Sequence, residues 1–126
     1  MLKGHTILAS SPELMFMNAV CAGLTDEALS FFREKKLFGG ELSAVDTPYG
    51  RFEGLDDIRA FAEGWLDRFG AQSAFITPVI QTIANGRVGL EAAINFVVDG
   101  EIEQVPMFII ADLRTPKLLD EVRLSG

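Results

Sequence analysis

The second half of the chain carries three turn signals that divide it into four predicted strands. Apolar and polar residues alternate there with a period of two, and the alternation stops at Asn85-Gly86, at Asp99-Gly100 and at residues 114–117, RTPK. Asn-Gly and Asp-Gly favour the positive φ angles of a two-residue hairpin turn. The pattern predicts an antiparallel meander with strands over 73–84, 87–98, 101–113 and 117–124. Pro78 and Pro106 lack an N–H for the ladder, so we expect a bulge or an edge position at each.

The first half of the chain has helical periodicity. Ser10 or Ser11 followed by Pro12 is typical of a helix start, and apolar residues repeat at helical spacing from there until Gly23. Two further helices follow the same rules, and the last of them has one apolar face. They are predicted over 25–36 and 56–69, with a short strand near 41–46 between them.

Length and charge limit the classes of function. A chain of 126 residues supports one domain, 1–126, around one core. Its net charge of −7 and its scattered 11 basic residues argue against a nucleic-acid partner. The N-terminal apolar run, Ile7-Leu8-Ala9, is shorter than that of a signal peptide, and no apolar stretch of about 20 residues is present to span a membrane. We therefore expect a cytoplasmic protein without a membrane partner.

The segment from Val45 to Phe61, VDTPYGRFEGLDDIRAF, is the most specific motif of the chain. Together with the order of helices and strands, it resembles the nuclear transport factor 2-like superfamily, in particular its SnoaL-like and ketosteroid isomerase-like members. The resemblance covers essentially the whole chain. It implies an α+β fold in which a cone-shaped, curved mixed or antiparallel sheet wraps around three helices, as in a cystatin-like α+β barrel. It also implies an apolar pocket inside the cone and a dimer through the outer face of the sheet.

Strand alternation assigns residues to the two faces of the predicted sheet. Phe108 and Ile110 fall on the outer face, and a strand that is apolar on both faces is usually covered on both. We therefore expect a homodimer through the outer sheet face. The inner face, with the facing helices and the strand-end turn, gives the predicted binding site for a small apolar molecule. Its residues are Phe16, Val20, Thr47, Tyr49, Phe61, Trp65, Leu90, Ala92, Ile94, Phe96, Met107, Ile109, Ala111 and Leu113.

The resemblance to ketosteroid isomerases also implies a carboxylate base before the strand-end proline and two oxyanion donors, a tyrosine and a protonated aspartate. The positions that match best here hold Thr47, Phe16 and Ala111. A threonine hydroxyl is a poor base near neutral pH, and phenylalanine and alanine donate no proton to an enolate. The sequence therefore argues against isomerisation by that mechanism.

Two other carboxylates, Asp46 and Asp120, are the candidate catalytic residues. Asp46 directly precedes Thr47, so on a regular strand it faces the opposite way and hydrogen-bonds the backbone of the following turn instead. Asp120 shares the parity of the inward residues of the last strand. It either pairs with Arg114 or Lys117 or acts as the acid or base of the pocket.

One His and one Cys do not make a common zinc site or a nucleophile–histidine pair, and no glycine pattern is typical of nucleotide binding. We expect no metal and no cofactor. Three functions remain open. The first is an enzyme that transfers protons on an apolar cyclic metabolite, for example a cyclase, isomerase or dehydratase. The second is a non-catalytic binder of a small hydrophobic ligand. The third is a dimerisation module with a filled pocket.

Overall fold

The computed structural model describes residues 10–32 and 43–125. The predicted α+β class is confirmed. The predicted second helix is shorter than expected, since it ends at Leu29 and Phe32 already forms a bridge with Leu119. Residues 33–36 of that prediction and the start of the predicted short strand lie outside the described residues. In chain order the elements are α1 (Pro12–Cys21), α2 (Thr25–Leu29), β1 (Ala44–Thr47), β2 (Gly50–Glu53), α3 (Gly54–Arg68), β3 (Ser73–Ala84), β4 (Arg87–Val98), β5 (Glu101–Thr115) and β6 (Leu118–Ser125).

The strands form one curved, unclosed sheet in the order β2-β1-β6-β5-β4-β3. Neighbouring strands are antiparallel except for β1 and β6, which are parallel. The predicted meander is confirmed, and Asn85 and Asp99 have the expected positive φ angles of 52° and 51°. These turns fix the register, so that the alternating inner and outer faces of β4 and β5 are also as predicted.

Strand β2 was not predicted. The sequence pattern indicated a turn that leads directly from β1 into α3, whereas the chain first forms a hairpin in which Val45 pairs with Phe52. The Gly54 N–H then donates to the Ser43 carbonyl (2.8 Å) and starts α3 with a φ of 82°. A strand of four residues is too short to show a clear alternation, which is why the sequence did not reveal it.

Both prolines occupy the predicted irregular positions. The β3–β4 register shifts between Pro78 and Ile80, as expected for a bulge. Pro106 stays in register with β4 but lies beyond Phe108, the residue of β5 that pairs with the end of β6. In the described part of the chain, β5 therefore has only β4 as a neighbour at this position, and on its other side there is no strand to which Pro106 would need to donate an N–H.

The concave face of the sheet packs against α1 and α3. Helix α3 is amphipathic, and Ile58, Phe61 and Trp65 point into the core. Helix α1 is enclosed on nearly all sides, so that even Glu13 in its first turn is fully buried. In the part of the chain that the structure describes, no helix is long and apolar enough to cross a membrane.

Candidate ligand-binding site

The middle of the concave face is filled by the protein's own side chains. Eleven of the fourteen predicted lining residues belong to the buried core, and we call this region the packed middle. Phe16 stacks on Phe61 (ring centroids 6.3 Å apart), Phe61 contacts Trp65 (5.5 Å), and Trp65 contacts Phe96 (5.8 Å). The eleven are Phe16, Val20, Phe61, Trp65, Leu90, Ala92, Ile94, Phe96, Met107, Ile109 and Ala111.

A cavity of about 830 Å³ opens at one end of the concave face, and we call it the end cavity. It lies between the start of α1, the β3–β4 turn and the β5–β6 turn. Of the predicted lining residues only Leu113 is part of it. The described residues that line it are Ser10, Ser11, Pro12, Met15, Phe31, Ile83, Gly86, Val88, Leu113, Arg114, Thr115, Pro116 and Lys117. The walls are mainly apolar, and this combination with a few polar groups is typical of small-molecule sites.

Among the residues that the structure describes, two cationic ones line the end cavity. Arg114 is mostly buried, with 18% of its side chain exposed, and its guanidinium Nε donates to Asp120 Oδ1 at 2.7 Å. A second guanidinium nitrogen, Nη2, bonds the same oxygen. Lys117 lies at the exposed turn between β5 and β6. The cavity therefore combines apolar walls with positive charge at one side.

A buried polar cluster lies next to the end cavity. Ser11 is at the N-cap position of α1, but its hydroxyl donates to Glu13 Oε2 (2.8 Å) instead of accepting from the helix backbone. Gln81 Nε2 donates to the same Glu13 oxygen (2.5 Å) and to Ser11 Oγ (2.8 Å). The other carboxylate oxygen, Glu13 Oε1, is buried and has no hydrogen-bond partner among the described residues.

The turn after β1 is closed by Thr47. Its hydroxyl donates to the Gly50 carbonyl (2.8 Å) and accepts from the Tyr49 N–H (3.2 Å). The expectation that Asp46 bonds this turn was wrong, because the threonine side chain makes both contacts. Asp46 is instead 43% exposed and lies 3.9 Å from Arg51 on the neighbouring strand.

Tyr49 lies at the edge of a groove of about 400 Å³ between the β1–β2 turn and α3. The Arg68 guanidinium lies 3.5 Å from the centre of its ring, a cation–π contact. Burial raises the pKa of the Tyr49 hydroxyl, and the nearby charge of Arg68 partly opposes this rise. Tyr49 is thus held by packing, and it lies outside the lining of the end cavity.

Asp120 forms the ion pair with Arg114 that the sequence suggested as one of two alternatives. Its side chain is 41% exposed. Because Arg114 lines the end cavity, the Asp120 carboxylate is one side chain away from it. Asp46 and Asp120 lie on the neighbouring strands β1 and β6, and of the two only Asp120 contacts a residue that lines the cavity.

Cys21 is buried in the packed middle beside Trp65. Burial raises the pKa of the Cys21 thiol to about 12, and the Trp65 side chain opposes part of that rise. The indole N–H of Trp65 nevertheless makes no hydrogen bond of regular geometry with a described residue. At neutral pH the sulfur is therefore a protonated, unreactive thiol. Over residues 10–32 and 43–125 no group of three or more His, Cys, Asp or Glu side chains is arranged to hold a metal ion.

The outer face of the sheet is rich in exposed apolar side chains. A groove of about 490 Å³ crosses it above Gly89, between Ile80, Phe108 and Ile110. Asn95, on the same face, is buried, and its side chain is hydrogen-bonded to the Phe75 carbonyl, Thr77 and Gln104. The exposed apolar residues of this face are Phe75, Ile80, Ile102, Phe108 and Ile110.

Sequence reasoning missed most of the end cavity. It identified Arg114 and Lys117 only as partners of Asp120, although two cations around a turn that follows an inward Leu113 are a usable signal. Ser11, Met15 and Ile83 carry no such signal, because they meet only through the tertiary fold. The burial of Glu13 carries no sequence signal either, because acidic residues are common in the first turns of helices.

Several solved structures have the same architecture. A protein from Catenulispora acidiphila with a ketosteroid isomerase-like fold, in complex with trimethylamine, aligns with a TM-score of 0.72 at 13% identity over 91% of this chain and 84% of its own. A candidate polyketide cyclase from Sinorhizobium meliloti gives 0.66 at 13% identity, over 90% and 93%. A cystatin-fold protein from Novosphingobium aromaticivorans gives 0.66 at 12%, over 91% and 95%.

Sequence comparison adds nothing to this likeness. No protein-family sequence model and no curated protein sequence matches the chain. At such low identity the solved structures show the architecture alone, which agrees with the curved sheet, the packed helices and the order of elements described above. The chain has the nuclear transport factor 2-like fold of the ketosteroid isomerase-like proteins.

Proposed function

We propose that the chain binds a small molecule with an apolar body and an anionic group in the end cavity. The observation that carries this proposal is the combination of a cavity of about 830 Å³, mainly apolar walls and the side chains of Arg114 and Lys117. A filled, purely structural fold does not need such a space. The cytoplasmic location expected from the sequence is part of the same proposal.

The apolar walls supply most of the affinity. Burying about 200–300 Å² of apolar ligand surface gains roughly 5–7 kcal/mol before the cost of association. Phe31, Ile83 and Leu113 offer this surface. Apolar burial alone selects poorly among ligands, so the charged side of the cavity decides the class of ligand.

Arg114 is the residue best placed to bind the anionic group. Its guanidinium has donors beyond the two nitrogens that bond Asp120, and a mostly buried cation forms stronger hydrogen bonds to an anion than an exposed one. The backbone N–H of Lys117 donates to Thr115 Oγ1, which holds the turn that carries the lysine. Lys117 thus adds positive charge from a fixed turn.

The neighbouring structures agree with a binding role in a general way. The Catenulispora acidiphila protein was solved in complex with trimethylamine, so the fold accommodates a small molecule there. Trimethylamine is cationic near neutral pH, whereas the end cavity presents two cations. The proposal for this chain therefore rests on its own residues.

Calorimetric titration with dodecanoate and with dodecanol tests the proposal. The wild-type protein should bind dodecanoate, and Arg114→Met should weaken that binding by about tenfold or more, since a charge-assisted hydrogen bond is lost. Dodecanol should be affected much less. The matched control Asp120→Asn breaks the ion pair but keeps the cation, and it should preserve dodecanoate binding. An equal loss of affinity for dodecanoate and dodecanol in Arg114→Met would contradict the proposal, and so would a wild-type protein that does not bind dodecanoate.

A catalytic form of this function is a second candidate, and Asp120 is favoured over Asp46 for it. The Asp120 carboxylate is separated from the end cavity only by Arg114, whereas Asp46 lies at the exposed β1–β2 hairpin. Asp120 would act there as the acid or base for proton transfer on a bound substrate. The wild-type protein should then catalyse the exchange of the protons beside the ketone of a medium-chain keto acid. NMR spectroscopy in D₂O monitors this exchange. Asp120→Asn should abolish the exchange while binding persists.

We also propose a homodimer through the outer sheet face. Five large apolar side chains are between 39% and 61% exposed there, and such a patch on a soluble domain commonly marks an interface. Native mass spectrometry should give twice the chain mass, and Phe108→Asp should give the monomer. The inner-facing control Ile83→Asp should leave the dimer intact. A monomeric wild-type protein would refute this assembly.

A further inference from the structure

The Glu13 carboxyl lies directly behind the wall of the end cavity. Ser11, which donates to this carboxyl, and the adjacent Pro12 both line the cavity. On β3, Gln81 contacts the carboxyl, and Ile83, two residues further along the same face, lines the cavity. On both α1 and β3, neighbours of the carboxyl line the cavity, while Glu13 itself is fully buried behind them.

One oxygen of this carboxyl is left without a donor. Glu13 Oε2 accepts from Ser11 and from Gln81, whereas Oε1 accepts from no residue that the structure describes, and Glu13 itself is fully buried. No described Lys or Arg forms an ion pair with it. A buried acceptor without a partner is unfavourable and rare, so its retention calls for a donor from outside the described residues.

We propose that Glu13 Oε1 accepts a hydrogen bond from a hydroxyl or ammonium group of the molecule bound in the end cavity. This inference rests on the proposed function and specifies its ligand further. The ligand is then an anionic molecule whose apolar body carries a second, hydrogen-donating group. Met15 and the half-exposed Ile83 line the cavity at this side. Met15 is only partly buried, and its unbranched, flexible side chain can move to open a path to the carboxyl.

Such an arrangement selects donors over acceptors. Both Glu13 oxygens repel an ether or ketone oxygen, and a buried site that is built for a donor rejects an analogue that lacks it. Arg114 and Lys117 do not contribute to this choice, because they contact the anionic group common to both analogues. The two parts of the proposal are therefore separable by experiment.

A matched ligand series tests the inference on the unmodified protein. Calorimetric titration compares dodecanoate, ω-hydroxydodecanoate and ω-methoxydodecanoate. The hydroxyl compound should bind at least about tenfold more tightly than the methoxy compound, as expected when a buried acceptor gains the donor it lacks. Equal binding of these two, with dodecanoate also bound, overturns the role of Glu13 but not the proposed function. Failure of all three to bind overturns both.

The variant Glu13→Gln gives an independent readout. Its carbonyl can keep the bonds from Ser11 and Gln81, and its NH₂ group then replaces the acceptor at the Oε1 position by a donor. The preference should reverse in favour of the methoxy compound. Glu63→Gln, on the exposed face of α3, is the matched control and should retain the wild-type order. An unchanged hydroxyl preference in Glu13→Gln contradicts the inference, and if that variant does not fold, the wild-type ligand series decides alone.

Discussion

The packed middle and the end cavity are built from the same strands, yet only one of them leaves space for a ligand. Along β4, Val88 is itself buried but borders the cavity, whereas the inward residues from Leu90 to Phe96 belong to the packed middle. The difference comes from the helices, since the aromatic side chains of α3 reach the middle but not the end. In this fold the position of a binding site therefore depends on which strand residues the helices cover, more than on the strands themselves.

The largest expected contrast between the two regions is in stability. Trp65→Ala should lower the free energy of unfolding by about 3–5 kcal/mol, because it removes a fully buried ring that contacts Phe61, Phe69 and Phe96. Ile83→Ala, on the half-exposed cavity wall, should cost about 1 kcal/mol or less. Urea denaturation measures both. Similar losses for the two variants would mean that the end is packed as tightly as the middle.

The second contrast is the response of the packed middle to alkaline pH. The folded pKa of Cys21 is about 12, against an ordinary value of 9.0, so its thiol favours the folded state fully below pH 9. That contribution is lost as the pH rises from 9 towards 12, on the order of a few kcal/mol in total. The difference in unfolding free energy between wild type and Cys21→Ala should shrink over this range. A constant difference would show that the thiol titrates normally.

The third contrast concerns filling the end cavity. Leu113→Trp should lower dodecanoate affinity by about tenfold or more, because the larger ring occupies ligand space. Phe108→Trp, on the outer face of the same strand, should leave that affinity unchanged. Calorimetric titration of both variants distinguishes the cavity from the rest of β5. A loss of dodecanoate affinity in Phe108→Trp alone would place the ligand on the outer face of the sheet.

The smallest expected effect lies at the β1–β2 turn, away from both regions. Thr47→Val keeps the shape of the side chain but removes both turn hydrogen bonds, so it should cost about 1 kcal/mol. Asp46→Asn should cost less than about 0.5 kcal/mol, since its pair with Arg51 is exposed and long. Thermal unfolding followed by circular dichroism compares them. The reverse order would restore Asp46 as the residue that holds the turn.

The sequence predicted the architecture well because the fold depends on local signals. The Asn85-Gly86 and Asp99-Gly100 turns set the strand limits and the register, and alternation then assigned inner and outer faces correctly. The same alternation does not reveal whether an inward residue meets a ligand or another side chain. Phe16 was predicted to line a pocket, whereas it stacks on Phe61.

The end cavity and its polar cluster depend on contacts between distant parts of the chain. Glu13 and Gln81 are 68 residues apart and meet only because α1 packs against β3. An acidic residue in the first turn of a helix is common on protein surfaces, so its burial has no sequence signature. The same holds for Arg114, whose position beside a cavity follows from the β5–β6 turn and α1 together.

Thiol labelling distinguishes an open end cavity from a closed one in the folded protein. In the variant Ile83→Cys, the introduced thiol on the cavity wall should react with a maleimide, while Cys21 in the packed middle should remain unmodified in the folded protein. Dodecanoate should slow labelling at position 83, and mass spectrometry of proteolytic fragments locates the label. Equal labelling rates with and without dodecanoate, or modification of Cys21 before unfolding, would contradict an open end cavity beside a packed middle.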